Sequence, residues 1–229
     1  MKIFTYIKND SSRIDKKNFK NIGNLELWKH LIYELGDFDV FIDTDSPRVI
    51  SECNADILLK NVTAYEREQE FVDMENDPNN SLSPSLLMID NFLDKYVEDD
   101  DEQIVLTHVT SPFLKKETVL DALTYLSEDG GKYDSVHSVY SVQDFCWRGR
   151  DYKPINFVPS VVQRTQDLEK MHFSNGAFFI FTKKTFKKNN NRFGENVYYY
   201  RLNRVESIEV DNREDLELAR IVYRGLEAR

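Results

Sequence analysis

The run Gln103-Ile104-Val105-Leu106-Thr107, a Thr110-Ser111-Pro112 turn, a helical stretch over Lys115–Leu126 and the run Ser135–Val142 follow one another directly. Short apolar runs rich in β-branched residues read as buried strands, and the longer stretch between them has the spacing of a helix. The same alternation extends both ways along the chain. Towards the N-terminus it gives strands over Lys2–Ile7, Phe38–Ile42 and Ala55–Leu59, and helices over Leu25–Leu35 and Leu82–Tyr96. Ser46-Pro47 opens another helix, with a hydroxyl at the cap and proline at the first helical position. Towards the C-terminus it gives strands over Gly176–Phe181, Val197–Leu202 and Val205–Val210, and a last helix over Arg213–Leu226. Such alternation predicts an α/β fold with a largely parallel sheet between layers of helices. In these sheets ligands bind beyond the carboxyl ends of the strands, which selects the loops 8–18, 43–46, 107–115 and 209–212.

The 229 residues are enough for one sizeable core, and no repeat or linker divides them, so a single domain over 1–229 is expected. Residues 143–172 carry little regular pattern and read as an arm leaving the main body. A net charge of −10 leaves no chain-wide basic field for nucleic acid or anionic lipid. No apolar run approaches membrane-spanning length, and the start of the chain reads as a strand and not as a signal peptide, so a cytoplasmic protein is expected. Cys53 and Cys146 stand alone, which argues against disulfides and against a zinc site. The acidic run Glu98–Glu102 reads as a solvated loop.

Two segments carry chemistry. The first strand runs into Lys8-Asn9-Asp10-Ser11-Ser12-Arg13-Ile14-Asp15-Lys16-Lys17-Asn18, with four cations and two hydroxyls where a strand-end ligand would lie. In an acidic chain such a loop can hold phosphates by charge and by backbone N–H groups. Neither G-x-G-x-x-G nor G-x-x-x-x-G-K-[ST] occurs. The second segment is Ser207-Ile208-Glu209-Val210-Asp211. On a strand Glu209 and Asp211 would share a face about 7 Å apart, a pairing that suits an oxygen-preferring cation such as Mg²⁺. The competing reading makes Asp211 the N-cap of the last helix, with Glu214 completing a capping box.

These residues resemble the acylneuraminate cytidylyltransferases, the enzymes that make CMP-sialic acids. Lys8, Ser11 and Lys17-Asn18 follow that family's Arg-x-x-Ser-Lys, spacer, Lys-Asn signature. Phe41-Ile42-Asp43-Thr44-Asp45-Ser46 resembles its strand ending in Ser-Thr-Asp, and Thr107-His108-Val109-Thr110-Ser111-Pro112-Phe113 its Leu-Gln-Pro-Thr-Ser-Pro-Leu. Asp134–Val139, Asn175–Ile180 and Ser207–Asp211 resemble Asp-Ser-Val-Val-Ser-Val, Asn-Gly-Ala-Ile-Tyr-Ile and Ser-Ile-Asp-Ile-Asp. Six motifs in order span nearly the whole chain. The departures are Lys8 for Arg, Asn9-Asp10 in the turn, Ser12 for Lys, His108 for Gln and Glu209 for Asp.

The resemblance implies a Rossmann-like nucleotidyltransferase (GT-A-like) three-layer sandwich and a reaction. CMP passes from CTP to the anomeric hydroxyl of a 2-keto, nonulosonic sugar acid, releasing pyrophosphate, for surface glycan biosynthesis. It implies Lys8, Lys17 and Asp211 as catalytic; Lys8, Ser11, Arg13, Lys17, Asn18 and Arg67 on CTP; and Glu209 and Asp211 on Mg²⁺. His108, Thr110 and Ser111 would face the sugar, joined by Gln163 and Arg164 from the arm, and Asp77 and Ser81 fall in a loosely matching stretch. It implies a homodimer through the arm. Two alternatives stand beside it: CTP-dependent activation of a Kdo-like sugar acid or a sugar phosphate, for which Ser12-Arg13-Ile14 speaks, and a degenerate non-catalytic relative, for which the altered phosphate loop speaks.

Overall fold

The computed structural model describes residues 1–77, 79–80, 83–127 and 132–228. Ser81, from the loosely matching stretch, and Leu82, the predicted start of a helix, lie outside them. Seven strands form one sheet: β1 (Lys2–Ile7), β2 (Val40–Thr44), β3 (Val62–Glu66), β4 (Gln103–Thr107), β5 (Ser135–Val142), β6 (Met171–Thr182) and β7 (Val197–Arg201). Their order is β7-β5-β6-β4-β1-β2-β3. Only β6 runs antiparallel to its neighbours β4 and β5; every other pairing is parallel. The expected mostly parallel sheet is therefore present.

Helices cover both faces because the strands are apolar on both. On one face α1 (Leu27–Leu35), α2 (Pro47–Ala55) and α5 (Lys116–Ser127) bury Trp28, Leu31, Val49, Val119 and Leu123 against Ile3, Ile42, Val105 and Ile180. On the other, α3 (Gln69–Asn76), α4 (Ser85–Tyr96) and α6 (Lys183–Asn189) bury Phe71, Met88, Phe92 and Phe186 against Phe4, Leu106, Phe179 and Phe181. The result is the three-layer sandwich.

Two predicted strands are corrected. Ala55–Leu59 is the end of α2 followed by a 3₁₀ turn over Ile57–Leu59; the strand comes later, at β3. Val205–Val210 is not in the sheet. It is a turn-rich segment whose apolar residues Val205, Ile208 and Val210 pack instead with Ile14, Phe113 and Leu216. The acidic run is partly paired: Glu102 takes ion pairs from Lys2 at 2.6 Å and the N-terminal amine at 3.3 Å.

A two-stranded hairpin, Asn21–Ile22 with Leu25–Glu26, ties the two ends of the chain together. The last helix, α7 (Arg213–Glu227), lies on it, and Arg220 Nε donates to the Asn21 carbonyl at 2.9 Å. Gly23 makes this contact possible: its φ is +61°, and a Cβ there would fall 2.0 Å from the Tyr223 ring. Gly23→Ala combines left-handed strain with displacement of Tyr223, and is expected to cost about 1–3 kcal/mol of unfolding free energy in urea titration. A variant as stable as the parent would show that α7 is held elsewhere.

Candidate active site

The loops after β1 and β4 and the segment before α7 enclose a cavity of about 270 Å³. Its walls bring Lys8, Ser11, Arg13, Lys17 and Asn18 from the basic loop together with Glu209 and Asp211 from the acidic segment; Tyr6, Glu75, His108 and Thr110 complete them.

The basic loop is braced from inside. Lys16 takes a left-handed backbone (φ 49°), which turns the chain into a 3₁₀ helix over Lys17–Phe19. Asn18 Nδ2 donates to the Lys8 carbonyl at 2.8 Å, and the Asn9 amide donates to Asp45 Oδ1 at 2.6 Å. Asp10, a potential source of repulsion, is exposed, hydrogen-bonded to Asn9, and does not line the cavity. Buried Lys17 donates to the Val210 carbonyl at 2.8 Å and to Asp211 Oδ1 at 3.1 Å, and Arg13 reaches the same carboxylate oxygen at 3.0 Å.

The acidic segment keeps its side chains in the cavity without being a strand. The Val210 amide donates to the Thr110 carbonyl at 2.8 Å, and Thr110 Oγ1 donates to Glu209 Oε1 at 3.3 Å. The helix cap lies one residue later than the capping-box reading placed it. Asn212 accepts from the amides of Glu214 and Asp215, and the Asp215 carboxylate accepts from the amides of Asp211 and Asn212. The Asp211 carboxylate is thus not consumed in capping. Burial pushes the Glu209 carboxyl up to about 7, with the Asp211 charge adding to it. Gly176 (φ +67°) sits in a bulge of β6 beside this carboxylate; a Cβ there would lie 3.1 Å from His108 Nδ1 and 3.5 Å from Glu209 Oε1.

The donors at this corner, two carboxylates and a hydroxyl, are all oxygen, as a hard divalent cation requires. Among the described residues no three His, Cys, Asp or Glu side chains converge, so the protein would supply only part of a coordination sphere. Mg²⁺ bound through one or two carboxylates and substrate phosphates fits such a set.

Four expected site residues lie elsewhere. Arg67 is buried away from the cavity: its guanidinium donates to Asp43 Oδ1 at 2.5 Å and to Glu75 Oε2 at 2.6 Å. Burial presses this guanidinium to lose its proton, and the Asp43 hydrogen bond together with the charges of Asp43 and Glu75 reverses that and raises its pKa. Its route to the cavity is through Glu75, which also approaches Lys8 at 3.8 Å. Ser111 is fully buried, and its amide closes the turn on the His108 carbonyl at 3.0 Å. Gln163 and Arg164 lie in the exposed arm, where Gln163 accepts from the Val158 amide and Arg164 pairs with Asp167 at 2.6 Å. Tyr6 and Glu75 were missed because a tyrosine within a strand and a glutamate within a helix carry no mark of the cavity they face.

The chain matches the profile of the cytidylyltransferase family over residues 8–227. A nucleotidyltransferase-type sandwich with a basic loop facing an acidic pair is thus joined to a defined lineage: the chain belongs to the cytidylyltransferase family. Curated relatives include the N-acylneuraminate cytidylyltransferases of Streptococcus agalactiae serotype III (strain NEM316), 27% identical over 182 residues. Those of serotype V (strain ATCC BAA-611 / 2603 V/R) are 28% identical over 182 residues. The matches cover 77% of this chain, and the chain spans 40% of the relatives' length. Among solved structures it is similar to CMP:2-keto-3-deoxy-manno-octonic acid synthetase complexed with CTP (TM-score 0.63, 15% identity, 98% of each chain). It is also similar to 4-diphosphocytidyl-2C-methyl-D-erythritol synthase from Anaerococcus prevotii DSM 20548 (TM-score 0.60, 14% identity, 97% of this chain and 96% of that one). At such identities these likenesses speak for the fold.

Two measurements check the site's electrostatics. Arg67→Ala leaves Asp43 buried and unpaired and is expected to cost about 3–5 kcal/mol in denaturant unfolding, as breaking a buried pair does; a loss below 1 kcal/mol would return Arg67 to the pool of ligand contacts. Burial holds the His108 and His137 imidazoles down at about 4, with the Arg192 charge assisting, against 6.5 in the open chain. Below pH 6.5 the unfolded chain therefore takes up these protons first, and native stability falls until about pH 4. His137→Gln should flatten that fall by on the order of 3 kcal/mol across the window, read from urea titrations at stepped pH. Parallel curves would show that His137 is not buried in its neutral form.

Proposed function

We propose that this chain is a CMP-sugar synthetase that transfers CMP from CTP to the anomeric hydroxyl of a sialic-acid-like 2-keto sugar acid. The observation that carries this reading is the meeting of the two charged segments: Arg13 and Lys17 close on Asp211 at 3.0 and 3.1 Å inside one cavity. The sugar hydroxyl oxygen forms a bond to the α-phosphorus, the α–β phosphoanhydride bond breaks, and pyrophosphate and the hydroxyl proton are released. In such a displacement the protein's work is alignment and charge neutralisation. Lys8, Arg13 and Lys17 would neutralise the phosphates, with Ser11 and Asn18 framing the nucleotide. Lys17, anchored on the Val210 carbonyl, is a charge already in place before reaction. Glu209 and Asp211 would hold Mg²⁺, whose contribution is to draw charge from the phosphate oxygens. His108 and Thr110 lie on the cavity wall where the acceptor would enter.

The single domain carries an arm over 143–172 that we assign to pairing of two copies. Its exposed Trp147, Tyr152, Val158, Val161 and Val162 supply an apolar surface, and Gln163 and Arg164 would reach a partner's acceptor site from there. No helix among the described residues is long and apolar enough to cross a membrane, in keeping with work on a cytoplasmic nucleotide pool. The likeness to a CMP:2-keto-3-deoxy-manno-octonic acid synthetase keeps an eight-carbon acceptor in the test panel.

The test is pyrophosphate release from CTP and Mg²⁺ with N-acetylneuraminic, legionaminic, pseudaminic and Kdo acceptors, the products identified by mass spectrometry. Absence of release with every acid, together with no CTP-dependent thermal shift, would favour a non-catalytic relative. Asp211→Asn should lower turnover at least about 100-fold, roughly 2.7 kcal/mol in barrier, while the fold persists. Near-normal turnover would remove Asp211 from the reaction.

A further inference from the structure

Arg192, in the asparagine-rich loop between α6 and β7, is a charge that the site described above leaves unexplained. Its guanidinium lies 3.9 Å over the centroid of the Phe179 ring. It is half-buried, and among the described residues no carboxylate comes within ion-pair distance of it. Other cations buried near the site, Lys17 and Arg67, each have a carboxylate partner. A partly desolvated cation without a counter-charge is costly, and the Phe179 ring and the Tyr6 hydrogen bond offset that cost without supplying an anion.

Those neighbours are donors or neutral groups. Tyr6 hydrogen-bonds to Arg192, and its hydroxyl meets His108 Nε2 at 3.0 Å. With the guanidinium donating to the phenol oxygen, the phenol proton points to Nε2 and the imidazole is neutral. His137 stacks on the same Phe179 ring, centroids 4.3 Å apart, and its Nε2 meets Ser174 Oγ at 2.9 Å. Its Nδ1 is buried and has no hydrogen-bond partner. A guanidinium lacking an anion and a buried ring nitrogen lacking a partner therefore share one aromatic floor. Tyr6 and His108 are at the same time walls of the nucleotide cavity. The 8–18 loop supplies Lys8, Arg13 and Lys17 as separate cations for the triphosphate, which leaves the second substrate as the source of the anion missing from Arg192.

We propose that Arg192 is the specificity-determining anchor of the acceptor's carboxylate, its planar fork laid on Phe179 so that its free N–H groups are presented to a planar two-oxygen anion beside Tyr6, His108 and His137. A guanidinium matches a carboxylate bidentately, and its charge does not titrate in any working range. This assignment deepens the reading of the chain as a sugar-acid cytidylyltransferase and rests on it for the identity of the acid.

The test is calorimetric titration with N-acetylneuraminic acid and its neutral carboxamide, with CTP present and Mg²⁺ withheld, on the parent, Arg192→Met and Arg192→Lys. Expected are at least tenfold preference of the parent for the acid over the amide, loss of that preference in Arg192→Met, and partial return in Arg192→Lys. CTP affinity should stay within twofold and the melting temperature of Arg192→Met should not fall, because the charge removed is half-buried and has no carboxylate partner among the described residues. Unchanged acid binding by Arg192→Met overturns the assignment. So does an equal weakening of acid and CTP, which would place the guanidinium on the nucleotide, and so does a parent that binds neither probe. Acid binding lost in Arg192→Met by a parent that releases no pyrophosphate would uphold the subsite and sink the catalytic reading. Turnover with an acceptor KM indifferent to Arg192→Met would do the reverse.

Discussion

Everything at the site hangs on the ammonium of Lys17. Residues nearly two hundred positions apart in the chain meet there: the Val210 carbonyl and the Asp211 carboxylate take two of its protons at 2.8 and 3.1 Å. A lysine this buried would be expensive alone, and charge-assisted hydrogen bonds of roughly 1.5–3 kcal/mol each are what make it tolerable. The contact also closes a mechanical loop. Val210 is fixed to the Thr110 carbonyl, Ile14 packs beside Phe113, Val210 and Leu216, and α7 is drawn onto the N-terminal hairpin. Three loops from distant parts of the sequence thereby become one rigid wall.

That wall is not a simple electropositive sink. Lys8, Arg13 and Lys17 line the cavity, and so do Glu75, Glu209 and Asp211. Unlike charges in near balance fix one another's geometry but attract a polyanion weakly. A triphosphate entering here would displace Arg13 and Lys17 from Asp211 and bring its oxygens towards two carboxylates. A divalent cation held there would resolve the conflict, since it would turn the carboxylates from a source of repulsion into ligands. The high proton affinity of Glu209, raised by burial and by Asp211, expresses the same unmet demand for positive charge.

The parts legible in sequence are those set by local pattern. The apolar runs of β1, β4 and β5 announce themselves because both faces are buried, and the density of cations in residues 8–18 shows without reference to neighbours. What failed was whatever depends on partners. Val205–Val210 alternates like a strand, yet its apolar side chains are taken up by Ile14, Phe113 and Leu216, and its backbone is pinned to Thr110. Arg67 is given as a nucleotide contact by the family resemblance alone, and the sequence conceals Asp43 and Glu75, which pair with it in the fold. Arg192 was invisible for the opposite reason. It sits in a tract that reads as an ordinary polar loop, and only the fold reveals that its guanidinium lands on Phe179.

The antiparallel strand of the seven-stranded sheet sets what stands on the side of the cavity proposed for the acceptor. Running against its neighbours, β6 delivers the Asn175-Gly176-Ala177 bulge to the same edge at which β1 and β4 end. The absence of a side chain at Gly176 lets His108 and Glu209 approach one another. Two residues further from that edge, Phe179 offers its ring to His137 and to Arg192. The imidazoles near this floor are kept neutral well below physiological pH, so the one lasting charge on it is the guanidinium. Recognition of the proposed acceptor there would rest on a cation that cannot be titrated away and on walls that contribute no competing charge. Discrimination by charge thus holds steady across the neutral range, while neutral sugars find a desolvated cation they cannot satisfy.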